Sequence, residues 1–381
     1  MFCQALAEHG STIDAGRLVH RLRVRRDLTG PEIGDPAGGN RDYGIFVYSL
    51  ANRMFEAVAA RHREAPFDII ESHEHLGVGA LVNAAMGADV ATVVRFQGAY
   101  HTLVERSAVT WPVNDWIRIL EKQAIHAAAV RIAPSAFLDR AVQEDFEVAA
   151  SQHVIPLLNA PAPAPDVSRP RDKVIFFVGR LAMAHKRPDL AVSAFVALAE
   201  AFPDWRMEII GADEPLAHGD GTTWSFCRDL VPPPLRDRVV YRGRLDRPEV
   251  TARMATGRIL LVPSSVEPFG LVAVEAMQAG CVPVVADDTA LSEIVGDPDL
   301  VFANRNGQAL VERLRPLLAS ESFWRGKQAR LLQRYARHFA PEMVLQANID
   351  AFSGAVQAHA ATASLPRASR LKQAGGFNRF Q

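Results

Sequence analysis

The sequence predicts an α/β protein of two similar halves, each built on a mostly parallel sheet. Three observations carry this. Short apolar runs ended by Gly, Pro or Ser alternate with segments of helical spacing, the pattern of repeated strand–helix–strand units. Residues 156–170 hold five prolines (Pro156, Pro161, Pro163, Pro165 and Pro170) and no periodic apolar signal, so they read as a linker between two such series. The 381 residues, 49% of them apolar, suffice for two cores at roughly 100–200 residues per domain.

Composition narrows the class. A formal net charge of -1 gives no overall field to recruit nucleic acid. Cys3, Cys227 and Cys281 are far apart and lack metal or redox spacing. They read as reduced thiols of a cytoplasmic protein. No apolar run approaches the ~18 residues of a membrane span. The first ten residues lack the basic flank and long apolar core of a signal peptide.

In the first half, residues 2–9 read as the end of an amphipathic helix closed by Gly10. Residues 19–26 alternate apolar and basic, as a strand with one solvated face; a basic membrane-touching strip is the alternative. Residues 28–42 form a loop. Phe46, Leu50, Met54 and Val58 mark a helix over 43–63. A strand at 67–71 leads to Ser72-His73-Glu74-His75 and a helix over 76–86. A strand at 90–96 is followed by a loop at 97–101. A helix over 114–129, a strand at 130–133 and a helix over 136–145 complete the series.

The second half begins with a strand at 174–178 ended by Gly179. Pro188 opens a helix whose Leu190, Ala194, Phe195 and Leu198 share a face. Strands at 206–210 and 239–241 end at Gly211 and at Arg242-Gly243, and a helix covers 249–256. The stretch 263–285, PSSVEPFGLVAVEAMQAGCVPVV, is a loop, a helix over 271–279 closed by Gly280, and a buried strand. Helices over 307–319, 322–335 and 341–357 follow. The tail from about 360 carries no pattern and is expected to be disordered.

Three features of the second half fall at the carboxyl ends of predicted strands, where parallel sheets bind ligands. Gly179 lets backbone approach a ligand closely. Arg180 and Lys186 suit a diphosphate, the one by bidentate bonding and the other as a point charge; a solvated basic loop is the plainer reading. Pro268-Phe269-Gly270-Leu271 opens a helix, whose free N–H groups and dipole favour an anion or a sugar hydroxyl. Glu267 and Glu275 stand eight positions apart, and carboxylates accept hydrogen bonds from vicinal hydroxyls; a structural or solvated pair is again the plainer reading.

These residues also carry a resemblance. GRL with Lys186 downstream, then EPFGLVAVEAMQAGCVPVVA, then LSEIV resemble the retaining glycosyltransferases of the two-Rossmann-domain (GT-B) type, family GT4, over about residues 174–300. DIIESHEH, VVRFQG and AVRIAPS extend the likeness over 67–155. The resemblance implies two doubly wound parallel-sheet domains facing across a cleft. Residues 1–158 would be the acceptor-side domain and 159–340 the nucleotide-sugar domain. Residues 341–358 would return as a helix to the first domain, with 359–381 a disordered tail.

It also implies roles. Arg180 and Lys186 would bind the donor diphosphate and stabilise charge on the leaving nucleotide in place of a metal. Glu267 would contact the sugar hydroxyls and Glu275 the ribose. Gly179, Phe269, Gly270 and Leu271 would line sugar and phosphate, with Gly211 and Arg242 flanking the base. Transfer would proceed with retention through front-face attack, the leaving phosphate helping to take the acceptor's proton. No cofactor or metal is called for. The acceptor would be a glycan, a lipid-linked group or a small molecule, not nucleic acid. The protein would be cytoplasmic, with peripheral contact at the inner membrane face left open.

Asp297-Pro298-Asp299 has the Asp-x-Asp form of a metal site but reads as a turn. His73-Glu74-His75 lacks the i, i+4 spacing of a helical zinc pair, and His73 is a candidate acceptor contact. Two departures stand out. The family's first strand and glycine-rich loop are missing from this chain. Gln97 stands where the family usually has His in a loop reaching the donor sugar, and Gln hydrogen-bonds without titrating; His101 is a second candidate there. These departures keep open a catalytically impaired nucleotide-sugar-binding paralogue or partner subunit. An epimerase of the same architecture, using the His73-Glu74-His75 turn, is a further alternative.

Overall fold

The computed structural model describes Phe2–Ala5, Gly10–Asp14 and Arg17–Arg23 as strands, and then residues 40–106, 115–217 and 219–363. The first three strands, β1 (Phe2–Ala5), β2 (Gly10–Asp14) and β3 (Arg17–Arg23), form a small sheet of order β1-β3-β2. β1 runs parallel to β3, with Phe2 opposite His20, and β2 runs antiparallel to it. This corrects the helix expected over 2–9: pairing with partners eighteen positions away overrides weak local helix preference. Residues 6–9 and 24–39 lie outside the described residues.

α1 (Asn40–Glu64) leads into the first domain's main sheet. Its strands are β4 (Ile69–His73), β5 (Ala91–Arg95), β6 (Val130–Ala133) and β7 (His153–Val154). They lie side by side in chain order, all parallel. α2 (Ala80–Met86), α3 (Tyr100–Arg106), α4 (Asp115–Ala127) and α5 (Ala136–Phe146) make the crossovers. β5 is buried on both faces, as a central parallel strand must be. On one face Val94 and Ala133 pack with Ile125, Leu138, Val142 and Phe146 of the helices.

Two expectations change here. The helix predicted over 76–86 is broken. His75–Gly77 is a 3-10 turn with Leu76 at φ 58°, and α2 starts only at Ala80. A Cβ on Gly77 would lie 2.3 Å from Leu120 Cβ, so the chain interrupts its helix to let α4 come close. Residues 100 and 101, expected in a loop, open α3.

The second domain contains β8 (Val174–Val178), α6 (Pro188–Ala199), β9 (Arg206–Ile210), α7 (Thr223–Asp229), β10 (Val239–Tyr241) and α8 (Arg247–Thr256). It continues through β11 (Ile259–Val262), α9 (Leu271–Gln278), β12 (Val282–Ala286), α10 (Ala290–Val295), β13 (Val301–Phe302), α11 (Gly307–Ala319) and α12 (Glu321–His338). The strand order is β10-β9-β8-β11-β12-β13, with every pairing parallel. The winding reverses between β8 and β11, which makes that gap the ligand crevice of a doubly wound sheet. β11 and β12 are buried along their whole length. α7 was not expected from the sequence; a reciprocal cap between Thr222 and Ser225 starts it.

The linker at 156–170 has neither strand nor helix. Just beyond it, the buried Arg171 guanidinium donates to the carbonyls of Met254, Gly257 and Ala279, anchoring the linker's end to the second domain. α13 (Pro341–Ala363) then leaves the second domain and lays Val344, Ala351 and Ala355 over Ala91, Val93 and Ile132 of the first sheet. It runs past residue 358, because its last turns are rich in alanine, the best helix former. Residues 364–381 lie outside the described residues. The result is two parallel-sheet α/β domains, the GT-B arrangement that the sequence predicted.

Candidate functional site

The crevice lies beyond the carboxyl ends of β8 and β11. The loop after β8 carries Gly179, Arg180 and Lys186, and the loop after β11 carries Glu267. Backbone and side chain tie the two loops together: Ser265 N–H donates to His185 O at 2.7 Å, and Ser265 Oγ donates to Ala184 O at 2.9 Å. Across this junction Lys186 Nζ lies 2.6 Å from Glu267 Oε2, with both side chains partly buried. Arg180 is more exposed and bonds Glu214 at 2.9 Å. His185 lies between the two cations. Burial lowers its pKa first, and Lys186 and Arg180 lower it further.

Gly270 ends the loop after β11 as the N-cap of α9, with φ 94°. A Cβ there would also meet Leu291 Cδ2 at 2.2 Å, so only glycine allows this turn. The free amides of α9 therefore open beside Glu267, a ready anion site. Phe269 is buried, its ring edge-on to Phe339 at 6.4 Å between centroids, and it offers the crevice backbone rather than its ring. Leu271 packs partly against the core.

Glu275 lies one turn into α9 and bonds Arg247 in the first turn of α8. Arg247 and Glu275 share a hollow of about 560 Å³ with Asn159, Pro161 and Gln278. Arg244, Leu245, Asp246 and Arg247 line an adjoining hollow of about 650 Å³. Arg242 bonds Glu208 at 2.8 Å. Gly211 accepts from the Tyr241 hydroxyl at 3.0 Å, and the Tyr241 ring stacks on Trp224 at 4.9 Å.

The first domain meets this crevice directly. Ser135 Oγ donates to Pro268 O at 3.0 Å. The Glu293 carboxylate accepts from the amides of Ala136 and Phe137, both at 2.9 Å, so an acid of one domain caps a helix of the other. A Cβ on Gly98 would lie 2.9 Å from Pro268 Cγ. The loop carrying the exposed Gln97 is thus seated on the turn carrying Glu267.

Residues 163–339 match the family model described as glycosyl transferases group 1. The match takes in most of the second domain and somewhat under half of the chain. The D-inositol 3-phosphate glycosyltransferase of Corynebacterium aurimucosum is 28% identical over 281 residues, 68% of this chain and 65% of that protein. The MMP alpha-(1->4)-mannosyltransferase of Mycolicibacterium hassiacum is 28% identical over 277 residues, 70% of this chain and 65% of its own. The chain therefore spans about two thirds of the length of these relatives. Among solved structures, sucrose-phosphate synthase from Thermosynechococcus elongatus superposes with a TM-score of 0.70 at 18% identity, covering 95% of this chain and 89% of that one. That likeness concerns the fold.

Within this fold, the residues singled out from sequence scatter unequally. Lys186, Glu267 and the amides at Gly270 and Leu271 converge on one crevice, with Gly179 and Arg180 at its edge. Glu275 sits about one turn along the same helix, beside Arg247. Arg242 and Gly211 follow β10 and β9, where Gly211 N–H donates to Gly243 O at 2.8 Å. His101 is turned the other way, its ring edge-on to Phe146 at 5.9 Å. His73 lies on β4 and opens onto a hollow of about 390 Å³ with Met54, Val58, Phe67 and Val82.

Sequence reasoning missed His185, Arg247 and the buried Glu121, and singled out the buried Glu74 only within the His73-Glu74-His75 turn of the epimerase alternative. Neither glutamate had a legible partner in the sequence, yet both are fully buried. Asp297 and Asp299 hold the Lys327 ammonium at 2.9 and 2.6 Å, which explains their pairing as structural. Among the described residues no group of three His, Cys, Asp or Glu is placed to hold a metal ion, and no helix is long and apolar enough to cross a membrane.

Proposed function

We propose that the protein transfers a sugar, with retention, from a nucleotide-diphosphate sugar to an acceptor hydroxyl. The observation that carries this is the Lys186–Glu267 pair, placed at the switch point beside the open amides of α9. A donor diphosphate would replace Glu267 as the partner of Lys186. Arg180 would swing from the solvent-exposed Glu214 pair to the same phosphates. The cations and the helix end then stabilise the negative charge that grows on the leaving nucleoside diphosphate. This is the electrostatic task a metal performs elsewhere, so the reading needs none.

Released from Lys186, Glu267 accepts hydrogen bonds from the donor sugar's hydroxyls. Glu275, in the hollow shared with Arg247, accepts from the ribose hydroxyls. Gln97 approaches the sugar from the first domain, through the seat of Gly98 on Pro268. The acceptor enters on the same face as the departing diphosphate, whose oxygen takes its proton. The names of the relatives, one a mannosyltransferase and others glycosyltransferases of an inositol phosphate, support this reaction class.

The test is a panel of UDP- and GDP-hexoses, scored by thermal shift and by donor hydrolysis. Stabilisation by at least one donor, lost in Lys186→Ala, is the expected result. A chain indifferent to every donor would overturn the proposal.

A further inference from the structure

We infer that Glu74 and Glu121 are positioning residues, which together fix the loop of Gln97 and Gly98 against the turn of Glu267 and Pro268. This rests on the transferase reading above and adds to it two residues from the other domain.

The loop after β5 leaves the sheet at Phe96, whose amide still bonds Ile132 O. The next amides have no strand partner. Glu74 accepts from Gln97 N–H at 2.8 Å and from Gly98 N–H at 2.7 Å. Glu121 accepts from Tyr100 N–H at 2.5 Å and from His101 N–H at 3.2 Å, the first amides of α3. Glu121 also accepts from Leu76 N–H at 3.0 Å, at the residue with φ 58°. His75 Nδ1 lies 2.8 Å from Gly98 O. Two acids from different elements thus hold one loop, one strained turn and one helix start.

A packing role alone does not account for this. Removing two carboxylates from water is costly unless hydrogen bonds replace the lost hydration. Every hydrogen-bond partner named above is a backbone amide, and four of the five belong to residues 97–101. What the acids fix is the course of that loop. Gly98 is buried against Pro268, while Gln97 is exposed beside it. A misplacement of about 1 Å at such a contact can cost about 10²-fold in rate.

The experiment uses the full chain with Glu74→Gln and Glu121→Gln, whose amide groups turn a donor towards backbone donors, and with Glu121→Asp as the control that keeps a carboxyl group. Amide hydrogen exchange is followed at 97–101 and, for comparison, in β8 and β9. UDP and GDP affinities and donor-hydrolysis kcat and KM are measured in parallel.

Exchange at 97–101 should rise about tenfold or more in the Gln variants while β8 and β9 stay protected. Nucleotide affinity should hold, kcat should fall by about 10²-fold with KM little changed, and Glu121→Asp should recover part of both losses. Unaltered exchange at 97–101, or a loosened loop with full kcat, would overturn the inference. Equal loss of nucleotide affinity and kcat would overturn it too, since it would show general damage. If the Gln variants do not fold, the same comparison is made with the Asp variants of both residues. A wild-type chain without nucleotide binding or turnover refutes the transferase reading instead, and the exchange measurements still decide whether the acids hold the loop.

Discussion

Lys186 Nζ and Glu267 Oε2 lie 2.6 Å apart across the gap where the strand order of the second sheet reverses. Each neutralises the other, and both stand at the open end of α9. In the proposed reaction a dianionic diphosphate would be a stronger partner for the lysine than a single carboxylate, and donor binding and release of Glu267 would be one event.

Replacing Lys186 with alanine should therefore weaken UDP or GDP binding and lower donor hydrolysis by about 10²–10³-fold, the usual cost of losing one preorganised electrostatic contact. Glu267→Gln should spare nucleotide affinity and lower kcat. Stability should change by less than about 1 kcal/mol in either variant, because the pair is partly exposed. Calorimetric titration with UDP and GDP separates the two.

Glu275 should report on the ribose. Glu275→Ala is expected to weaken a nucleoside diphosphate about tenfold, the value of one hydrogen bond to a charged group, and to leave inorganic pyrophosphate unaffected. A parallel loss for both ligands would remove Glu275 from the ribose and assign it to holding Arg247.

Glu74 and Glu121 give stability a pH dependence of known sign. Burial is the main cause that raises them, to about 7 and about 8, and the charge of Glu74 raises Glu121 further. A folded pKa above the unfolded value means that the acids favour folding most below the unfolded pKa. That contribution declines as pH rises towards about 8. Thermal melts of wild type against Glu121→Gln should show the wild type losing ground between about pH 4.5 and 8. A difference independent of pH would contradict the assignment.

Gly270→Ala should destabilise the second domain by about 1–3 kcal/mol, since φ is 94° there and Leu291 occupies the space of a methyl group. Chemical denaturation measures this directly, and an unchanged midpoint would refute it. The same variant should weaken nucleotide binding, because the first amides of α9 must shift with the cap.

Lys327→Met should cost about 3–5 kcal/mol by removing the buried cation of Asp297 and leaving it only the exposed Arg330, 3.8 Å away. Adding Asp297→Leu should restore much of the loss, measured by urea denaturation. If the single variant keeps full stability, the Asp297–Lys327 bond contributes nothing.

Much of this protein is local, and local features were legible. Apolar runs closed by Gly179 and Gly211 located β8 and β9 within a residue or two, because buried parallel strands leave a continuous apolar signature. The prolines at 156–170 marked the linker. Glu267 and Glu275 were conspicuous because they flank one helix start in an otherwise apolar stretch. What only the tertiary structure decided involves partners far apart in the chain. Glu74 and Glu121 are 47 positions apart, Arg247 and Glu275 are 28, and Gly98 and Pro268 are 170. Periodicity records which side of an element is buried but not what lies against it. The broken helix at Leu76 and the strand at Phe2–Ala5 follow the same rule, since close approach of α4 and pairing with β3 outweigh local preferences of a few tenths of a kcal/mol per residue.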